Sequence, residues 1–254
     1  MLYCRQVQIR RTPMTYILGA RCKDGVVLIA DSKITNADGR TEYQDKLSRY
    51  YYPIVIGGAG STVMLRNFAD NVLRETQDIV GVSSVSGAVY FNPIEVKHPY
   101  YLDCNKYIKR IEETVRSLDQ RYRGVLGDMR FDALMAVQTV DRGALLYYIY
   151  GERVSEPIDQ YKVLGAGERY GTVFLSRFWK KEKSMEEVAK LGHFIIRYIE
   201  KFELNSEVGG DPQIWFIPDI GQLYNPSLDM VDQFNKNSEE KLTEHSSHIS
   251  KLNL

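Results

Sequence analysis

Four places in this sequence carry groups suited to chemistry. Thr15 stands directly ahead of the apolar run Tyr16-Ile17-Leu18-Gly19-Ala20, and Asp31 closes a second apolar run, Val26-Val27-Leu28-Ile29-Ala30. Lys46 follows in Asp45-Lys46-Leu47, and the glycine-rich stretch Gly57-Gly58-Ala59-Gly60 comes soon after. A threonine hydroxyl is a weak nucleophile unless a base takes its proton as it attacks. Taken singly, each group also has a structural reading. Thr15 fits a β-branched strand residue, Asp31 a turn residue, Lys46 a solvated charge and Gly57 to Gly60 a tight connection.

Other candidates carry less. His245 and His248 are spaced as metal ligands but lie in a polar stretch without a third donor. Gly57 to Gly60 is not a phosphate loop, because no Lys-Ser or Lys-Thr follows in register. The three cysteines, Cys4, Cys22 and Cys104, have no metal spacing and read as structural thiols in a reducing compartment. No metal or other cofactor is expected.

The elements that must position these groups follow from hydrophobic periodicity. A strand from Tyr16, a turn at Asp24-Gly25 and a second strand from Val26 predict a hairpin. The run Gly57 to Gly60 reads as a flexible break before a helix over roughly 62–77, carried by Met64, Leu65, Phe68, Val72 and Leu73. A second helix places Tyr107, Ile108, Ile111, Val115, Leu118 and Tyr122 on one face. Strands are expected over 131–137, 144–150 and 213–217, and a helix from Glu168 to Trp179. Ser184 and Glu187 form a capping box that opens a further helix. The order of strand pairs and helices does not fit repeated βαβ units. It suits an α+β fold of two antiparallel sheets packed together with helices outside.

With 33 basic and 33 acidic residues, the chain has no net field to favour nucleic acid or an anionic membrane. No apolar run approaches the roughly 18 residues that span a bilayer, and residues 1–13 lack a secretory pattern. A cytoplasmic protein is expected. One domain over 15–230 is expected, with a polar, mobile tail over 231–254.

The segment from Thr15 to Lys33 resembles the opening of a mature proteasome β-type subunit, of the archaeal kind. That family pairs a nucleophilic threonine with a strand, a Lys-Asp-Gly turn, a second apolar strand and an Asp-Ser-Arg sequence. Asp45-Lys46-Leu47, Gly57 to Gly60, Leu164-Gly165-Ala166-Gly167 and Gly209-Gly210 through Trp215 continue the likeness in order. The resemblance implies a threonine peptidase of the N-terminal-nucleophile (Ntn) hydrolase superfamily, a four-layer αββα sandwich. It implies cleavage of unfolded polypeptides inside a ring built with proteasome α- or β-like subunits. Thr15 would be the nucleophile and its own free amine the base. Lys46 would lower the pKa of that amine, Asp31 would hold Lys46, and the Gly60 amide would stabilise the oxyanion. Ile34, Gly58 and Thr62 would line the substrate pocket, with Gly58 leaving room for a bulky apolar side chain.

Three supporting positions depart from the pattern: Ala166 and Val208 stand where serines are usual, and Asn205 where an aspartate is usual. Residues 1–14 are expected as a propeptide or as an upstream start, with Met14 the true initiator and Thr15 exposed by its removal. A catalytically inactive structural subunit and a stand-alone Ntn amidohydrolase remain the competing expectations.

Overall fold

A computed structural model describes residues 15–35, 39–50, 54–60, 104–122, 131–139, 142–151 and 153–252, with Leu65, Asn67, Phe68, Asp70 and Asn71. Strands β1 (Tyr16–Cys22) and β2 (Gly25–Ala30) form the expected hairpin, with Lys23 and Asp24 as its two turn residues. Together with β10 (Tyr161–Gly165) and β11 (Gln213–Pro218) they make an antiparallel sheet in the order β10-β1-β2-β11. A second antiparallel sheet runs β5-β6-β7-β8-β9, from Leu47–Tyr50, Ile54–Gly60, Phe131–Thr139, Gly143–Tyr150 and Arg153–Val154. A small hairpin pairs β3 (Lys33–Thr35) with β4 (Thr41–Tyr43).

The alternation of side chains along β1 and β2 fixes the layers. Ile17, Val26, Leu28 and Ala30 point into a core shared with Val55, Leu134, Ala136 and Leu146 of the second sheet. Leu18, Ala20, Val27 and Ile29 point the other way, onto helices α2 (Glu168–Phe178) and α3 (Met185–Lys201). Both faces are therefore buried, which is why these strands read as unbroken apolar runs. The outer face of the second sheet packs Met135, Val137 and Ile149 against Ile111, Val115 and Leu118 of α1 (Cys104–Tyr122) and against Phe68. Helix, sheet, sheet, helix is the αββα sandwich of the Ntn-hydrolase fold.

Local signals hold where they are strong. Ser184 caps α3 by accepting from the Glu187 amide while the Glu187 carboxylate accepts from the Ser184 amide. Asp24, in the β1–β2 turn, adds a bond from the Met185 amide at 2.8 Å and so ties the helix to the hairpin.

Two expectations change. The glycine-rich run is not a break but the second half of strand β6. A side chain at Gly57 would collide with Leu47, and one at Gly58 with Leu65, so glycine here permits close packing within regular structure. The stretch beyond 231 is also not a loose tail, since Leu228–Leu252 forms helix α4. Its buried stripe, Phe234, Ser238 and Leu242, repeats every four residues, and Ser238 meets His193 of α3 at 2.9 Å. So narrow a stripe leaves the rest of the helix polar, which made the sequence read as solvated.

Candidate active site

The site lies where β1 begins and β2 ends. Because these strands are antiparallel, with Ile17 opposite Ala30, Asp31 falls opposite Tyr16 just beyond the last pair, within reach of the Thr15 hydroxyl. The Asp31 amide donates to the Tyr16 carbonyl at 3.1 Å, and the Tyr16 amide donates to Asp31 Oδ1 at 2.7 Å. The carboxylate is thus clamped to the chain that presents Thr15.

Lys46 arrives from the other sheet, on the segment leading into β5. Its Nζ donates to Asp31 Oδ1 at 2.6 Å and to the Lys33 carbonyl at 2.5 Å. Thr15 Oγ1 donates to the same Asp31 Oδ1 at 3.2 Å, and the Gly209 amide to Oδ2 at 3.2 Å. Hydroxyl, carboxylate and ammonium therefore meet at one oxygen. Asp31 is fully buried, and the side chains of Asp31 and Lys46 retain 0% and 6% of their exposure. Burial pushes the Asp31 carboxyl up and the Lys46 ammonium down, while their mutual attraction opposes both shifts.

The remaining expected residues are more scattered. Gly60 ends β6 at φ 116°, three residues beyond Gly57, which pairs with Leu47 next to Lys46. Ile34 sits half-buried on β3 opposite Glu42. Leu65 fills the space beside Gly58, against the expected room for a bulky substrate side chain. Thr62 lies outside the described residues.

The turns expected to support Thr15 do reach it, by other means. The Gly167 amide donates to the Thr15 carbonyl at 3.3 Å. Asn205 Nδ2 donates to the Ala166 carbonyl at 3.2 Å, and its Oδ1 accepts from the Glu207 amide at 2.9 Å. Val208 is buried in the apolar cluster that includes Tyr16 and Leu18. An amide cross-link and a packed valine thus stand where hydroxyls and a carboxylate were expected.

Sequence reasoning passed over the Lys33 carbonyl, the Gly209 amide and Gln213. The first two are backbone groups without a residue signature. Gln213 read only as the start of a strand. Its Oε1 accepts from the Lys46 amide at 2.7 Å and from the Leu47 amide at 3.2 Å. Among the described residues no cluster of three His, Cys, Asp or Glu could hold a metal ion, and no helix is long and apolar enough to cross a membrane.

The four-layer sandwich is an Ntn-hydrolase-like fold of the proteasome-like subunit kind, and it brings a threonine, an aspartate and a lysine together at one end of its two sheets. Comparison with solved structures places particular relatives beside it. Anbu (ancestral beta-subunit) from Yersinia bercovieri is similar at TM-score 0.68 and 17% identity, covering 91% of this chain and 96% of that one. An Anbu mutant from Hyphomicrobium sp. strain MC1 has TM-score 0.65 and 17% identity, over 93% and 99% of the two chains. The Anbu complex from Pseudomonas aeruginosa, described as a helical assembly, has TM-score 0.68 and 18% identity, over 93% and 96%. No protein-family model matches the sequence, and no curated protein does.

These findings correct the archaeal proteasome β-type resemblance. The solved structures named above are Anbu proteins, and no match in sequence supports the proteasome family. The motifs that carried the resemblance include the hairpin turn and the close-packing glycines, which serve the shared fold.

Proposed function

We propose that this chain is a threonine-dependent hydrolase of peptide bonds, working once residues 1–14 are removed and Thr15 is the first residue. One observation carries the reading: Asp31 Oδ1 accepts from both Thr15 Oγ1 and Lys46 Nζ inside a buried pocket of charge. In the reaction, Thr15 Oγ1 bonds to the substrate carbonyl carbon as its proton passes to the Thr15 amine. A free α-amine has a pKa of about 7.7–8.0 and is partly neutral near pH 7. The Lys46 cation lowers that value by repulsion and so raises the neutral fraction. The Gly60 amide would receive the oxyanion. Collapse passes that proton to the departing amine of the substrate and leaves an ester on Thr15, which water, deprotonated by the same Thr15 amine, then hydrolyses.

Unfolded polypeptide is the substrate class that the proteasome-like fold suggests. Copies of the chain are expected to associate, as the helical assembly of the Pseudomonas aeruginosa Anbu complex suggests.

The test uses protein purified from its native cell. Amino-terminal sequencing should begin at Thr15. A peptide electrophile that reacts only with a 1,2-amino alcohol should label one site per chain. Thr15→Ala should lose that labelling entirely while keeping its fold. A mature chain that still carries residues before Thr15, with no labelling, would reject the hydrolase and leave a structural subunit.

A further inference from the structure

We infer that Gln213 is a positioning residue that sets the separation of Lys46 from Asp31, an inference that rests on the hydrolase reading above. Its backbone belongs to β11, where it pairs with Ala30, the residue immediately before Asp31. Its side chain reaches the segment that carries Lys46. Oε1 accepts from the Lys46 amide at 2.7 Å and the Leu47 amide at 3.2 Å. Nε2 donates to Asp45 Oδ1 at 2.7 Å and to the Gln44 carbonyl at 3.2 Å.

A primary amide offers two acceptor directions and two N–H donors, and all four are used on residues 44–47. The orientation is chemically forced, because the reverse would set donors against amides and an acceptor against a carboxylate. One end of Gln213 is therefore fixed to the strand that ends at Asp31, and the other to the loop that presents Lys46. Among the described residues no other side-chain amide joins these two segments. The Lys46 side chain is long and rotatable, so fixing its backbone narrows the positions its ammonium can take between Asp31 and the Lys33 carbonyl. Gln213 supplies that constraint from outside the reacting groups.

The experiment compares wild-type mature protein with Gln213→Met and Gln213→Glu. The same amino-alcohol-directed peptide is the probe, and its labelling is resolved into a maximal rate and an apparent binding constant. Gln213→Met should lower the maximal rate about 100-fold, the scale of a misplaced catalytic group, with the binding constant unchanged. Gln213→Glu sets a carboxylate against Asp45 and the Gln44 carbonyl at high pH. On protonation it regains a donor, so its rate relative to wild type should rise as pH falls. Labelling of Gln213→Met at the wild-type rate overturns the inference. So does a Gln213→Glu to wild-type ratio that stays flat with pH.

A direct readout separates this inference from the hydrolase reading. The 13Cε resonance of Lys46, assigned with Lys46→Arg, titrates whether or not the protein is active. If wild type fails to label, the hydrolase reading falls. A Lys46 midpoint that moves in Gln213→Met then still upholds the positioning role, and an unmoved midpoint removes it. If Gln213→Met fails to fold, Gln213→Glu supplies the same comparison at high pH, where its carboxylate has lost the donors to Asp45 and the Gln44 carbonyl.

Discussion

Two sides of Thr15 are built on opposite principles. On one, Asp31 and Lys46 form a buried ion pair at 2.6 Å, reinforced by donors from Tyr16 and Gly209 and by the Lys33 carbonyl as acceptor. On the other, the turns around Ala166 and around Asn205 to Val208 contribute backbone amides, one side-chain amide and an apolar side chain. The first side carries charge that can shift the affinity of a neighbouring amine for protons. The second makes its contacts through uncharged groups and holds shape. The difference assigns electrostatic tuning to residues from both sheets and backbone placement to the turns beyond them.

The largest effect should come from breaking the charged side. Asp31→Asn preserves size but removes the countercharge of a lysine that keeps only 6% of its side-chain exposure. It also sets its Nδ2 donor against either the donors at Oδ1 or the Gly209 amide, because both carboxylate oxygens now accept. Leaving one member of a buried pair alone costs about 3–5 kcal/mol, readable as a fall in the urea midpoint. Burial already lowers the Lys46 pKa and Asp31 opposes that shift, so removing Asp31 lets it fall further. Lys46 is then cationic only at lower pH, and the limb of activity that needs its charge moves downward. Peptide labelling at neutral pH should drop by about 10²–10⁴-fold, the range of general acid–base catalysis. Labelling at the wild-type rate would take the ion pair out of the mechanism.

How much of this was legible in the sequence follows the same division. Thr15, Asp31 and Lys46 could be named because each is a distinct residue type in a recognisable order, and the structure brings all three together. Two packed antiparallel sheets were readable from the order of strand pairs and helices, and the αββα layering from the resemblance; β1 and β2, buried on both faces, fit that arrangement. The glycines at 57 and 58 misled because glycine marks both breaks and close packing, and only the positions of Leu47 and Leu65 decide between them. Helix α4 was missed because its buried stripe includes a serine, Ser238, whose partner His193 is 45 residues away. Gln213 was missed for the same reason: its role exists only across 167 residues of sequence.

A middle-sized effect should come from the neutral side through the backbone. Gly165 holds φ 89°, and a side chain there would run into the Thr15 carbonyl. Gly165→Ala therefore combines left-handed strain with displacement of the residue that begins β1. Gly151→Ala makes a control, since Gly151 holds φ 56° with open space around it. Strain alone costs about 1–2 kcal/mol. Gly165→Ala should lose more stability than Gly151→Ala in urea, and only Gly165→Ala should slow labelling. Equal losses in the two variants would show that the turn at 165–167 does not position Thr15.

The smallest effect tests whether the neutral side is electrically silent. Asn205→Asp removes the Nδ2 donor to the Ala166 carbonyl and sets a carboxylate oxygen against it. The Glu207 amide keeps its acceptor, so the turn itself should survive. An unmet buried acceptor costs about 1–3 kcal/mol, and this site is only part-buried, so the lower end is expected. The added negative charge also favours protonation of any amine close by and raises its pKa. A Thr15 amine acting as base must be neutral, so the acidic limb of the labelling profile should move to higher pH. Above that limb the rate should stay within about 10-fold of wild type, since Lys46 and Asp31 are untouched. An unmoved limb would place this turn outside the field of the amine. A large gain in rate would mean that the neutral side limits catalysis, reversing the division of labour drawn from the two sides of Thr15.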